Sequence, residues 1–127
     1  MNPIQNKIKS WLLNSDICNS SGGVYSWINP AHTGYIYPEI MGYYLSFLTQ
    51  LYEKEIDLNN KNFFIGKTIK HINYLNQLLE AGGIGREQIL YTFDTGICLT
   101  GLLRVKKIYQ DENKELNNCI NNMILFV

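Results

Sequence analysis

Three cysteines, Cys18, Cys98 and Cys119, are odd in number, far apart and without a CxxC pair, so no disulfide framework is expected. A reducing cytoplasm is the expected location. The N-terminal stretch MNPIQNKIKSWLLNS lacks the apolar core of a signal peptide. No apolar run approaches the ~20 residues that span a bilayer, the longest being residues 123 to 127, and no membrane partner is expected. An excess of charge is also missing: 11 Lys and Arg balance 11 Asp and Glu. A nucleic-acid partner is excluded on that ground, because phosphate neutralisation needs a basic face. Two histidines and the scattered cysteines show no metal-ligand spacing. Gly82-Gly83-Ile84-Gly85 follows a helix rather than a strand and makes a poor phosphate loop. No metal or cofactor is implied.

What is present is a chain of 127 residues, 46% hydrophobic, enough for one domain with a single core. Aromatics reach 13%, and nine of them are tyrosines, which combine apolar area with a polar tip.

Hydrophobic spacing predicts five helices. Ile4, Ile8, Trp11 and Leu12 follow Pro3 and mark an amphipathic helix over residues 3 to 14. Pro38 opens a second, with Glu39 in its first turn and Ile40, Tyr44, Phe47, Leu48 and Leu51 on its apolar face, to about Lys54. A polar joint over residues 57 to 62 leads to a third, whose stripe is Ile65, Ile69, Ile72, Leu75 and Leu79 and which Ala81-Gly82-Gly83 ends. A fourth, marked by Cys98, Leu102, Val105 and Tyr109, has Asp94 as its expected N-cap. Leu116, Cys119, Ile120, Met123 and Ile124 mark a fifth. Between the first two helices lies a long aromatic segment with turn signals at Ser20-Ser21-Gly22-Gly23, Asn29-Pro30 and Thr33-Gly34, and a small β-hairpin is possible within residues 18 to 37. Residues 82 to 92 form a second irregular stretch.

Helices two and four share features that three and five lack: a glycine- and aromatic-rich loop before them, an acid at their start, and the internal glycines Gly42, Gly96 and Gly101. Alternate helices then form an inner and an outer wall, which puts Glu39 and Asp94 on one rim.

Three segments carry a family resemblance: Gly22-Gly23-Val24-Tyr25-Ser26-Trp27, Tyr37-Pro38-Glu39-Ile40-Met41-Gly42-Tyr43 and Phe93-Asp94-Thr95-Gly96. In this order they resemble the (α/α) toroid superfamily of six-hairpin glycosidase-like proteins, in particular relatives associated with bacterial polysaccharide biosynthesis. The resemblance spans roughly residues 20 to 110. It implies an all-α fold of antiparallel helical hairpins with a sugar-sized cleft at one end, and leaves the reaction open among hydrolases, lyases, epimerases and non-enzymes. Met41 departs from the pattern, which favours a small hydroxyl residue there, and is expected to alter the rim. A complete toroid has twelve helices of about 11 to 12 residues each, far more than this chain supplies. The apolar terminus Leu125-Phe126-Val127 favours an N-terminal portion of something longer, or a ring completed by other copies or a protein partner.

Each candidate residue has a structural reading beside the functional one. Asp94 and Glu39 are the candidate acid and base pair of a saccharide site, against cap and helix-dipole roles. His32 is a candidate general base, with Tyr35 or Tyr37 as proton donor, against a solvated loop histidine. Tyr25, Trp27, Tyr37, Tyr43, Tyr91 and Thr95 are candidate ligand contacts, and the aromatics also serve to pin two loops to the helices. His71 is expected at the surface or boundary of the third helix. Cys98 and Cys119 are expected as small buried hydrophobes. The expected function is binding or processing of a saccharide; the alternative is a non-catalytic scaffold that self-associates.

Overall fold

The computed structural model describes residues 1–29, 31–32, 34–80, 82–109 and 113–127, and at residue 15 the backbone alone. Its elements are α1 (Pro3–Leu13), α2 (Pro38–Lys54), α3 (Leu58–Leu78), β1 (Gly85–Arg86), β2 (Ile89–Leu90), α4 (Thr92–Ile108) and α5 (Lys114–Phe126). The chain is mainly helical, with one small antiparallel two-stranded ribbon. The turn signals expected at Pro30, Thr33 and Ala81 lie outside the described residues.

Pro38 supplies the first turn of α2 without wasting an N–H, and Asp57 caps α3 by accepting from the Asn60 amide at 3.0 Å. That cap starts α3 earlier than the expected polar joint, leaving only residues 55 to 57 between two antiparallel helices. Lys61 over the Tyr52 ring and His71 edge-on to Tyr44 record the antiparallel register. α2 and α4 are parallel neighbours: Cys98 Sγ lies 3.0 Å from the Pro38 carbonyl, Gly42 abuts Ile97 and Cys98, and Gly101 abuts Gly42. A Cβ on Gly42 would stand 2.5 Å from the Ile97 carbonyl oxygen, so the helices meet backbone to backbone. Gly96, grouped with these two by sequence, faces open space instead. α5 follows α3 in the same direction, with Tyr109 Oη donating to the Ile65 carbonyl at its start and Gly82 and Gly83 against Asn122 and Phe126 near its end. Two hairpins thus lie side by side, with the starts of α2 and α4 at one end.

Met41, Leu45 and Leu48 from α2, Ile72 and Leu75 from α3, Cys98, Leu102 and Val105 from α4, and Cys119 and Met123 from α5 fill the core between them. Each large side chain buried there contributes about 1.5–3 kcal/mol. Met41 is fully buried in this core, so its departure from the family pattern is a packing feature and leaves the rim unaltered.

α3 turns a different stripe inward from the expected one. Phe64, Thr68, His71, Ile72 and Leu75 are buried, while Ile65 and Ile69 are half-buried. The cause is the segment before α2, which packs on that side of α3. Asn19 Oδ1 accepts from the amides of Ser21, Gly22 and Gly23, holding a tight turn whose Gly22 has φ 107° and sits against the Lys70 carbonyl. His71 Nδ1 bonds to the Gly22 carbonyl at 2.5 Å, so His71 is an interior tie and not the surface residue expected. Burial holds its pKa down at about 4.

The hairpin expected within residues 18 to 37 forms as isolated antiparallel bridges, Cys18 with Val24 and Tyr25 with Ile36. The Tyr37 amide donates to Val24 at 2.9 Å and the Ser26 amide to Tyr35 at 2.8 Å. α1 also departs from its pattern. A reciprocal Asn2–Gln5 capping box starts it, yet it buries no residue: Ile4, Ile8 and Trp11 face outward, and Leu12 and Leu13 make the core contact. No helix among the described residues is long and apolar enough to cross a membrane.

Candidate functional site

The shared end of α2 and α4 gathers the groups that carry chemistry. Tyr37 is the N-cap residue of α2 and Tyr91 that of α4, so each helix enters from a tyrosine. Glu39 and Asp94 follow in the first turns, where the positive ends of two helix dipoles favour carboxylates. The sequence suggested Asp94 as the cap of α4, but it is the third residue of the helix, within the first turn, and Tyr91 at the N-cap makes no side-chain cap bond. The Asp94 carboxylate is therefore not spent on the helix backbone.

An open cavity of about 220 Å³ is lined by Tyr35, Tyr37, Arg86, Tyr91 and Asp94. Tyr35 and Tyr37 stand 5.8 Å apart at a 59° tilt. Arg86 comes from the ribbon and lays its guanidinium 4.4 Å from the Tyr35 ring centre. The ribbon is fixed at its base by Thr95, whose Oγ1 accepts from the Ile84 amide at 2.9 Å and donates to the Tyr91 carbonyl at 2.8 Å. Thr95 is fully buried, so it holds the cavity wall and is no ligand contact.

Electrostatics tie the carboxylates together. Burial raises the Asp94 pKa, the nearby Glu39 charge raises it further, and Arg86 opposes both. A hydrogen bond to Glu39 is the main cause that pushes the Tyr37 hydroxyl up to about 12, with burial and the Asp94 charge adding to it. Burial followed by the charge of Glu39 raises Tyr43. Glu39 thus acts on Tyr37, Tyr43 and Asp94 alike. A carboxyl with a raised pKa beside a second carboxylate suits proton donation and acceptance around a bound hydroxyl compound.

The other residues singled out by sequence fall elsewhere. Tyr43 lines an adjoining groove of about 310 Å³ between α2 and α4, with Ser46, Gln50, Thr100 and Arg104. Trp27 and His32 pack edge to face at 5.1 Å on the exposed loop, and neither lines the cavity. Tyr25 is half-buried, pairs with Ile36 and lies outside the lining. Arg86 is the lining residue that sequence reasoning missed: one arginine in an irregular stretch gives no periodic or motif signal. Among the described residues no group of three or more His, Cys, Asp or Glu side chains could hold a metal ion. Compared with protein-family models, with curated proteins and with solved structures, the chain matches none.

Proposed function

We propose that the cavity at the shared end of α2 and α4 binds a saccharide, and that the two hairpins are a segment of an (α/α) toroid. The observation that carries the reading is the convergence of three tyrosines with Asp94, Arg86 and the neighbouring Glu39 around one open cavity. Tyrosine rings pack on the apolar C–H faces of a pyranose while carboxylates and a guanidinium hydrogen-bond its hydroxyls, the mix of apolar wall and few polar groups that small-ligand sites use. Parallel inner and parallel outer helices support the toroid reading, as does the ordered motif triple. In a catalytic form, Asp94 and Glu39 serve as an acid and base pair. In a hydrolase or lyase Asp94 protonates the departing oxygen while Glu39 takes a proton from water or from a ring carbon; in an epimerase one takes a carbon-bound proton and the other returns one to the opposite face.

The test is titration of neutral and charged oligosaccharides against the protein and its Asp94→Asn and Tyr91→Ala variants. Binding that both variants weaken, with helical circular dichroism unchanged, supports the reading; binding that neither alters removes it. A second reading, a scaffold joining copies of itself or a protein partner, is favoured by the exposed Ile4, Ile8 and Trp11 of α1 and Phe93 and Leu103 of α4. Light scattering behind a sizing column decides it: a concentration-independent monomer mass rules self-association out.

A further inference from the structure

We propose that the saccharide taken by this cavity is cationic, a sugar bearing a free amine, whose ammonium occupies the place that the chain's own Arg86 guanidinium holds over Tyr35. This rests on the saccharide reading and adds the charge of the ligand to it.

Three observations carry the proposal. First, Arg86 shares the cavity with aromatic rings and one carboxylate that attract any cation: its guanidinium lies 4.4 Å from the Tyr35 centre, and the other walls are Tyr37, Tyr91 and Asp94. Tyrosine faces carry negative potential, and this arrangement of rings with acids is the means by which proteins hold ammonium groups. Second, with both carboxyls ionised, Asp94 in the lining and the neighbouring Glu39 outnumber Arg86, so an incoming carboxylate, as in a uronic acid, meets net repulsion, whereas an ammonium makes up the missing charge. Third, beyond the base that Thr95 fixes, the element that places Arg86 is small and its turn is strained. β1 and β2 have two residues each, and their turn puts Glu87 at φ 54° and Gln88 at φ 67°, left-handed positions that neither side chain favours. The exposed Arg86 side chain gives way to a ligand without disturbing the core.

The balance between the chain's cation and the ligand's sets the selectivity. An amine-bearing hexose displaces Arg86 and recovers its place over the Tyr35 ring and its attraction to Asp94; a neutral or N-acetylated sugar displaces it and recovers only hydroxyl contacts. Removing Arg86 therefore helps the amine sugar specifically.

The experiment is isothermal titration of the full chain with three tetrasaccharides: a β-1,4 glucosamine oligomer with its amines protonated, its fully N-acetylated counterpart, and an oligogalacturonate. The glucosamine oligomer should bind about tenfold more tightly than the N-acetylated one, with the uronate weakest. Arg86→Ala should tighten the glucosamine oligomer by about three- to tenfold, the scale of a cation–π contact with its share of ion pairing. Tyr35→Leu should erase the preference for the amine. Equal or tighter binding of the N-acetylated or uronate oligomer overturns the proposal while leaving the saccharide reading standing. An Arg86→Ala variant that weakens glucosamine binding, with unchanged circular dichroism, also overturns it. Binding of none of the three overturns both.

Discussion

Four glycines lie inside helices, and the structure divides them into two pairs with opposite expected responses to alanine. Gly42 and Gly101 form the close approach of α2 to α4, whereas Gly66 in α3 and Gly96 in α4 have no atom within 4 Å of a new Cβ. At Gly66 and Gly96 only helix propensity changes, so alanine stabilises by about 0.5–1 kcal/mol. At Gly42 the same gain is opposed by a Cβ 2.5 Å from the Ile97 carbonyl oxygen, 2.7 Å from its carbon and 2.8 Å from the Cys98 nitrogen. All three are backbone atoms, so no rotamer change relieves the overlap and the helices must separate by about 1 Å to restore ordinary contact. Overpacking of this kind costs about 1–3 kcal/mol, and the rigid backbone puts Gly42→Ala toward the upper end, a net loss of about 1–2 kcal/mol. For 127 residues, an unfolding entropy of about 2.1 cal/mol/K per residue converts each kcal/mol into about 4 °C. Gly66→Ala and Gly96→Ala should therefore raise Tm by about 2–4 °C, and Gly42→Ala should lower it by about 4–8 °C, read by far-ultraviolet circular dichroism. Because α2 and α4 carry Glu39 and Asp94, Gly42→Ala should also weaken the proposed saccharide binding, while Gly66→Ala should not. Shifts of the same sign at positions 42 and 66 would refute the backbone-contact account.

His71 predicts a pH dependence. Its folded-state pKa of about 4 lies below the unfolded value near 6.5, so the unfolded chain binds more protons between those values. The associated stability is fully present above about pH 6.5 and falls by about 3 kcal/mol toward pH 4; urea melts across that range should show the loss in the parent protein and much less of it in His71→Asn. Asp94 works in the opposite sense: with its folded pKa raised, stability declines as pH rises through that pKa, so Asp94→Asn should be more stable than the parent at neutral pH even as it weakens the proposed ligand site. In the ribbon, replacing Glu87 with Asn, which tolerates left-handed backbone, and Gln88 with Gly, which has no penalty there, relieves a strain of about 1 kcal/mol at position 88 and part of that at 87, and the double variant should melt several degrees higher.

Helix positions were legible wherever a local signal was strong. Pro38 with Glu39 set the start of α2, and the Leu116, Cys119, Ile120, Met123 spacing set the buried face of α5. The placement of Glu39 and Asp94 on one rim followed from the alternation of loop-flanked and two-faced helices. Features that depend on a partner segment were not legible. The buried stripe of α3 turned toward Phe64 and His71 because the segment before α2 covers that side, something no spacing within α3 records. The ribbon was missed because Glu87-Gln88 lacks the Asn-Gly or Asp-Gly chemistry that marks such a turn, and Arg86 was missed with it. In α1 the pattern of Ile4, Ile8 and Trp11 named an apolar face correctly, but periodicity gives the existence of a face and not the side on which the core lies.

That outward face of α1 has a dynamic consequence. The helix holds itself together by its own capping box and meets the core through Leu12, Leu13 and the Tyr44 hydroxyl on the Leu12 carbonyl, with Lys9 lying over the Phe64 ring. Alone among the five helices it contributes no fully buried residue, so it is expected to open before the others. Amide protons over residues 6 to 13 should exchange with solvent through detachment of this one helix, at rates independent of mutations that loosen the α2–α4 seam, while those flanking Gly42 and Gly101 should wait for global unfolding.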